Sequence, residues 1–264
     1  MENIKKLREL TGAGMVDCKK ALDEAQGDLD KAVELLRKSG IAKAAKREDR
    51  EASQGLIRVA LNDDQTEGYM IELNSETDFV AKNSDFQALA DKILNIVKTN
   101  KPADLDALLA MPMADGTVKE NIDHLSGVIG EKLGLKNFAV LAGACVGAYL
   151  HAGGSAGVLV ALNQAGQADL ARDIAMQIAA SQPRYIKPEE VPAEELDKEK
   201  DVYREQLAKE GKPAEMIEKI MMGKINKYYE EVCLIKQEYI KDDKQKVEQV
   251  LKGVAVDKFI RFSL

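Results

Sequence analysis

From Gly55 onward the hydrophobic rhythm of the chain changes, and that change constrains the fold more than any other feature of the sequence. GLIRVALN and GYMIELN read as short runs with a period of two, and the polar NDDQTE between them predicts a β-hairpin. Before Gly55 the spacing is helical. Ile4, Leu7 and Leu10 mark one short helix, MVDCKKALDEA a second after the TGAG break, and Leu29, Ala32, Val33, Leu35 and Leu36 a third. Gly27 ends the second helix, Asp28 suits the N-cap of the third, and Ser39 and Gly40 are expected to stop it. The charged, Ala-rich IAKAAKREDREASQG predicts a helical or flexible linker.

Beyond the hairpin, SDFQALADKILNIVKT places Phe86, Leu89, Ala90, Ile93, Ile96 and Val97 at helical spacing, with Asn83 or Ser84 as cap. Weaker helices are expected between Pro102 and Gly134. NFAVLAGACVGAYLH and GVLVALN then read as two β runs forming a second hairpin around HAGGSAG, and ADLARDIAMQIAAS as a helix. Leu196, Tyr203 and Leu207, then Ile217, Met221, Ile225 and Tyr228, lie on narrow stripes either side of a Gly211 and Pro213 break. That pattern predicts an antiparallel helical hairpin with a coiled-coil-like seam. VCLI, a short helix KQKVEQVLK, and VDKFIRFSL close the chain. The fold class is α+β with small antiparallel sheets. The expected division is 1–52 for the three-helix unit and linker, 53–140 and then 141–188 with 231–264 for two core subdomains, and 189–230 for the inserted hairpin.

Chemistry is sparse. A net charge of −7 over 264 residues argues against a general nucleic-acid binder. Three scattered cysteines, Cys18, Cys145 and Cys233, fit neither a disulfide framework nor a metal site, and two histidines supply no ligand pair. No apolar run approaches the length of a membrane span and the N-terminus lacks a signal core, so a cytoplasmic protein is expected. No phosphate-cradling glycine loop occurs, because Gly211-Lys212 precedes Pro213 and Gly223-Lys224 precedes Ile225. GGSAG, Gly153 to Gly157, satisfies G-x-S-x-G with Ser155 as nucleophile, but its context is strand, turn, strand where a nucleophile elbow needs a helix. The sequence therefore predicts a protein without enzymatic chemistry, cofactor or metal, working through its surfaces. A binding adaptor for ubiquitin-like or peptide partners, built on the three-helix unit, and a hydrolase using Ser155 are the competing readings.

TGAGMVDCKKAL, Thr11 to Leu22, and TDFVAKN, Thr77 to Asn83, carry more than texture. With RKSGIAKAAK, GAYLHAGGSAGVLV, AASQPRYIKPEEVP and FIRF in the same order, they resemble the elongation factor Ts family, the guanine nucleotide exchange factors of elongation factor Tu. The resemblance covers nearly the whole chain. It implies an N-terminal ubiquitin-associated-like domain, a core of two α+β subdomains and an inserted coiled-coil hairpin. It also implies a partner, elongation factor Tu in GDP-bound and nucleotide-free forms, contacted by Met15, Val16 and Lys19 on the N-terminal domain and by His151 on the core. Thr77, Asp78, Phe79 and Val80 would form the turn that displaces the partner's Mg²⁺, with Asp78 and Phe79 as the intruding pair. The hairpin would mediate dimer contacts of the complex.

Two features depart from the family pattern. Lys136, Asn137 and Phe138 stand where many members carry a basic pair, and the sequence ends soon after FIRF without the helical extension of some members, so contacts made by that extension are expected to be absent. By general burial tendency alone, Phe79 would turn inward beneath the hairpin, whereas the resemblance implies that it points outward.

Overall fold

The computed structural model describes residues 1–114, 116–209 and 214–264. Three helices open the chain: α1 (Glu2–Thr11), α2 (Met15–Glu24) and α3 (Leu29–Ala45). Leu7, Cys18, Leu22, Ala32 and Leu36 form their common core. Asp28 caps α3, its carboxylate accepting from the Lys31 amide at 3.1 Å.

Two three-stranded antiparallel sheets follow. The first is ordered β1 (Gln54–Leu61), β2 (Glu67–Ser75), β5 (Leu133–Ala142). Between β2 and β5 lie α4 (Asp78–Ala81), α5 (Ser84–Asn100), α6 (Leu105–Ala110), the short pair β3 (Pro112–Met113) and β4 (Gly116–Thr117), and α7 (Val118–Ile129). The second sheet is ordered β10 (Val256–Ser263), β7 (Ala156–Leu162), β6 (Cys145–Leu150), with α8 (Ala168–Ser181) following β7. The long helices α9 (Ala193–Lys209) and α10 (Ala214–Val232) come next, then β8 (Glu238–Tyr239), β9 (Asp242–Lys246) and α11 (Val247–Leu251).

The fold is thus α+β, as the period change requires. Pairing of β1 with β2 sets Leu56 opposite Leu73, as expected for GLIRVALN and GYMIELN. Strand alternation then builds two cores from one sheet. Tyr69, Ile71 and Leu73 face α5 with Phe86, Ile93 and Val97, while Met70 joins Ile57, Leu141, Val146 and Leu159 between the sheets. The second sheet repeats the scheme, with Val158, Val160 and Leu162 covered by Ile174, Ile178 and Leu251. The sheets approach so closely that a Cβ on Gly157 would lie 2.6 Å from Ile57 Cγ2.

Several expectations need correction. Ser39 and Gly40 do not stop α3, which runs on to Ala45. A glycine inside a helix costs about 1 kcal/mol, and here it permits a close crossing: a Cβ on Gly127 of α7 would sit 2.4 Å from Gly40 Cα. NFAVLAGACVGAYLH is not one strand but two. It breaks after Ala142, with β5 in the first sheet and β6 in the second, and apolar residues on both sides of the break hid it from a reading by hydropathy. VCLI makes a single bridge, between Tyr185 and Cys233, and the helix in KQKVEQVLK begins only at Val247. The Gly211 and Pro213 break lies outside the described residues. On either side of it α9 and α10 pack together, burying Leu207, Met221 and Tyr228.

Candidate functional site

β2 delivers the chain to the TDFVAKN segment, where each residue has a distinct environment. Thr77 is extended and is fastened twice to one carboxylate. Its amide donates to Glu131 Oε2 at 3.0 Å and its hydroxyl to Glu131 Oε1 at 2.7 Å. Asp78 to Ala81 then form the single turn α4, and Asn83 caps α5 by accepting from the Asp85 and Phe86 amides at 2.8 and 3.2 Å. Val80 is 5% exposed and packs in the core with Phe86. Phe79 points the other way and is 79% exposed. The inward position expected from burial tendency is not adopted, because Val80 takes the inner face of the turn.

The surroundings of Phe79 are charged. Lys82 pairs with Asp78 at 2.9 Å and its ammonium lies 5.9 Å from the Phe79 ring centre. The hydrogen bond from Lys82 holds the Asp78 carboxyl below the usual aspartate range. Just before the turn, Glu76 accepts from the Lys132 amide at 2.5 Å and from Arg50 Nη1 at 3.1 Å, the amide bond being the main cause of its lowered pKa. The Lys132 ammonium in turn donates to the Glu48 and Arg50 carbonyls at 2.5 and 2.7 Å.

Glu131 and Lys132 were not singled out in the sequence, since they lie more than fifty positions from their partners. The strand register would have found them. Ser75 pairs with Leu133, so the two residues after Ser75 must meet the two before Leu133.

Met15 and Val16 are exposed at the start of α2, and Lys19 one turn later, while Cys18 and Leu22 face the helical core. Leu10 of α1, also exposed, adds an apolar side chain to this surface. His151 is exposed at the corner after β6, with Nδ1 3.3 Å from the Tyr149 hydroxyl. Among the described residues no hydrogen bond or salt bridge joins the Met15 group, the Phe79 turn and His151 to one another. Lys136 and Asn137 both donate to the buried Glu72 carboxylate, at 2.8 and 2.9 Å, which gives these departures from the family pattern a structural role in the first sheet.

Ser155 lies in the corner between β6 and β7, where Gly153 and Gly154 have φ of 81° and 77°. The context is strand, turn, strand. Cys18, Cys145 and Cys233 are free and buried. Among the described residues no group of three or more His, Cys, Asp or Glu is placed to hold a metal ion, and no helix is long and apolar enough to cross a membrane.

Fold and site together define an α+β protein that presents exposed apolar side chains, Phe79 among them on a turn fastened through Thr77 to Glu131. The family model described as Elongation factor TS matches residues 76–264. Over 280 aligned positions the chain is 42% identical to Elongation factor Ts of Prosthecochloris aestuarii, an alignment spanning all of this chain and 97% of that protein. The chain belongs to the elongation factor Ts family, and so has a nucleotide-exchange role in translation elongation.

Proposed function

We propose that the chain binds elongation factor Tu in its GDP-bound form, inserts Phe79 beside the partner's nucleotide site, displaces Mg²⁺ there, and so promotes GDP release and GTP reloading. The observation that carries this reading is an exposed phenylalanine on a turn whose two flanks are fixed. Mg²⁺ bridges and neutralises nucleotide phosphates, so a partner conformation that loses its coordination holds GDP weakly. Burying Phe79 in such a conformation would favour it by ~1.5–3 kcal/mol. The coupling is reciprocal: GDP must weaken the complex by the factor by which the complex weakens GDP.

Asp78 and Phe79 are the intruding pair, while Thr77 and Val80 serve from beneath, one clamped and one buried. Met15, Val16, Lys19 and His151 are assigned to partner contacts by the family resemblance and their exposure. The same reading keeps the N-terminal helices as a ubiquitin-associated-like domain over 1–52. It keeps core subdomains at 53–140 and at 141–188 with 231–264, and a coiled-coil hairpin over 189–230. Exposed Val202 and Met222 on that hairpin support dimer contacts of the complex.

Release of fluorescent GDP from elongation factor Tu, timed in excess Mg²⁺ and in a chelator, tests the mechanism. Chelation already removes what the turn displaces, so the acceleration produced by the chain should shrink by roughly tenfold or more. Equal acceleration in both media would exclude Mg²⁺ displacement.

A further inference from the structure

We infer that Glu131 is a positioning residue for exchange: it never reaches the partner, but its carboxylate fixes the direction in which Phe79 is presented. This inference rests on the reading of Phe79 as the intruding side chain. Glu131 lies in the corner between α7 and β5, and it takes both donors of Thr77, the amide at 3.0 Å and the hydroxyl at 2.7 Å. Thr77 therefore makes no side-chain cap to α4, the usual use of a threonine at this position. A free cap would leave the turn hinged at Thr77, whereas two bonds to one carboxylate define its orientation as well as its place. The adjacent pair repeats the clasp with roles reversed, Glu76 accepting from the Lys132 amide at 2.5 Å. Residues 76 and 77 are thus stitched to 131 and 132 immediately beyond the last β2–β5 pair, Ser75 with Leu133. Four-residue α4 has too few internal hydrogen bonds to hold its own direction.

The test measures GDP release from elongation factor Tu over a range of chain concentrations, which separates the maximal rate from the half-saturating concentration. Glu131→Ala should lower the maximal rate roughly tenfold, as expected for losing two hydrogen bonds that act on the reacting geometry, with a much smaller change in half-saturation. Glu131→Gln, which can still accept from the amide and donate to the hydroxyl, should recover to within about twofold. In a Phe79→Ala background Glu131→Ala should have no further effect, because it acts only through that ring. Amide exchange gives an independent readout in the free chain: the Thr77 amide should lose protection in Glu131→Ala while the β2 and β5 amides keep theirs.

An additive loss in the double variant, or an unchanged maximal rate in Glu131→Ala, overturns the inference. If Phe79→Ala itself releases GDP at the wild-type rate, the exchange reading has failed instead, and the Thr77 amide still reports whether Glu131 holds the turn. Should Glu131→Ala not fold, Thr77→Val removes only the hydroxyl bond and carries the same expectations at smaller size.

Discussion

Phe79 and Val80 are consecutive, yet the first is 79% and the second 5% exposed, since one helical turn sends neighbouring side chains about 100° apart. The contrast separates a packing role for Val80 from the contact role proposed for Phe79. Val80→Ala deletes buried methyl groups and should cost about 1–3 kcal/mol in urea unfolding, while Phe79→Ala should stay within about 0.5 kcal/mol of the parent. Comparable losses for both would mean that the ring is buried in solution. TDFV was legible in the sequence as a motif, and the resemblance implied the outward ring, but burial tendency pointed inward because it treats each phenylalanine alone and cannot know that Val80 fills the inner face. Glu131 was silent for a different reason: its role depends on strand register, which no local pattern carries.

Among the elements, the crossing of α3 over α7 departs furthest from the expectation drawn from sequence. The apolar spacing predicts the helix but not its end, because a glycine that only weakens an isolated helix here makes room for a second one. The same crossing contains His124 on α7, whose Nδ1 is buried without a hydrogen-bond partner and lies 3.6 Å from a Cβ placed on Gly40. Burial first, and the Arg37 charge of α3 second, lower its pKa. Arg37 also pairs with Glu120 of α7 at 3.2 Å, and Lys43 of α3 with Asp17 of α2 at 2.9 Å, so cations as well as anions surround the site. The folded state favours the neutral ring. Its contribution is therefore complete above the unfolded histidine value of about 6.5 and is lost as pH falls through the lower folded value. Thermal unfolding should show a midpoint that declines as pH falls below about 6.5, and His124→Gln should flatten that part of the profile. Identical profiles for the two proteins would remove His124 as the cause. The β-hairpin and the paired long helices, by contrast, were legible because their periods of two and of about 3.5 persist over several turns. The split into β5 and β6 was not, since a change of sheet leaves hydropathy unaltered.

At the scale of the molecule, the segment after α3 is not a free tether. Arg47 donates to the Ser126 carbonyl at 3.2 Å, and Lys132 holds the Glu48 and Arg50 carbonyls within 2.7 Å. The helical unit that carries Met15, Val16 and Lys19 is thereby tied to the corner that fastens the Phe79 turn. Under the proposed function, holding both surfaces before a partner arrives would lower the ordering cost of binding, leaving more of the contact energy to act on the partner's nucleotide site. The period change pointed to the α+β class, but the connection between these distant surfaces comes only from tertiary contacts. The central claim is that Phe79 accelerates GDP release without supporting the fold. Stopped-flow release of fluorescent GDP from elongation factor Tu at saturating chain tests it most directly: Phe79→Ala should lower the maximal rate by about tenfold or more, consistent with the burial energy of one phenylalanine, whereas equal maximal rates for variant and parent would contradict the account.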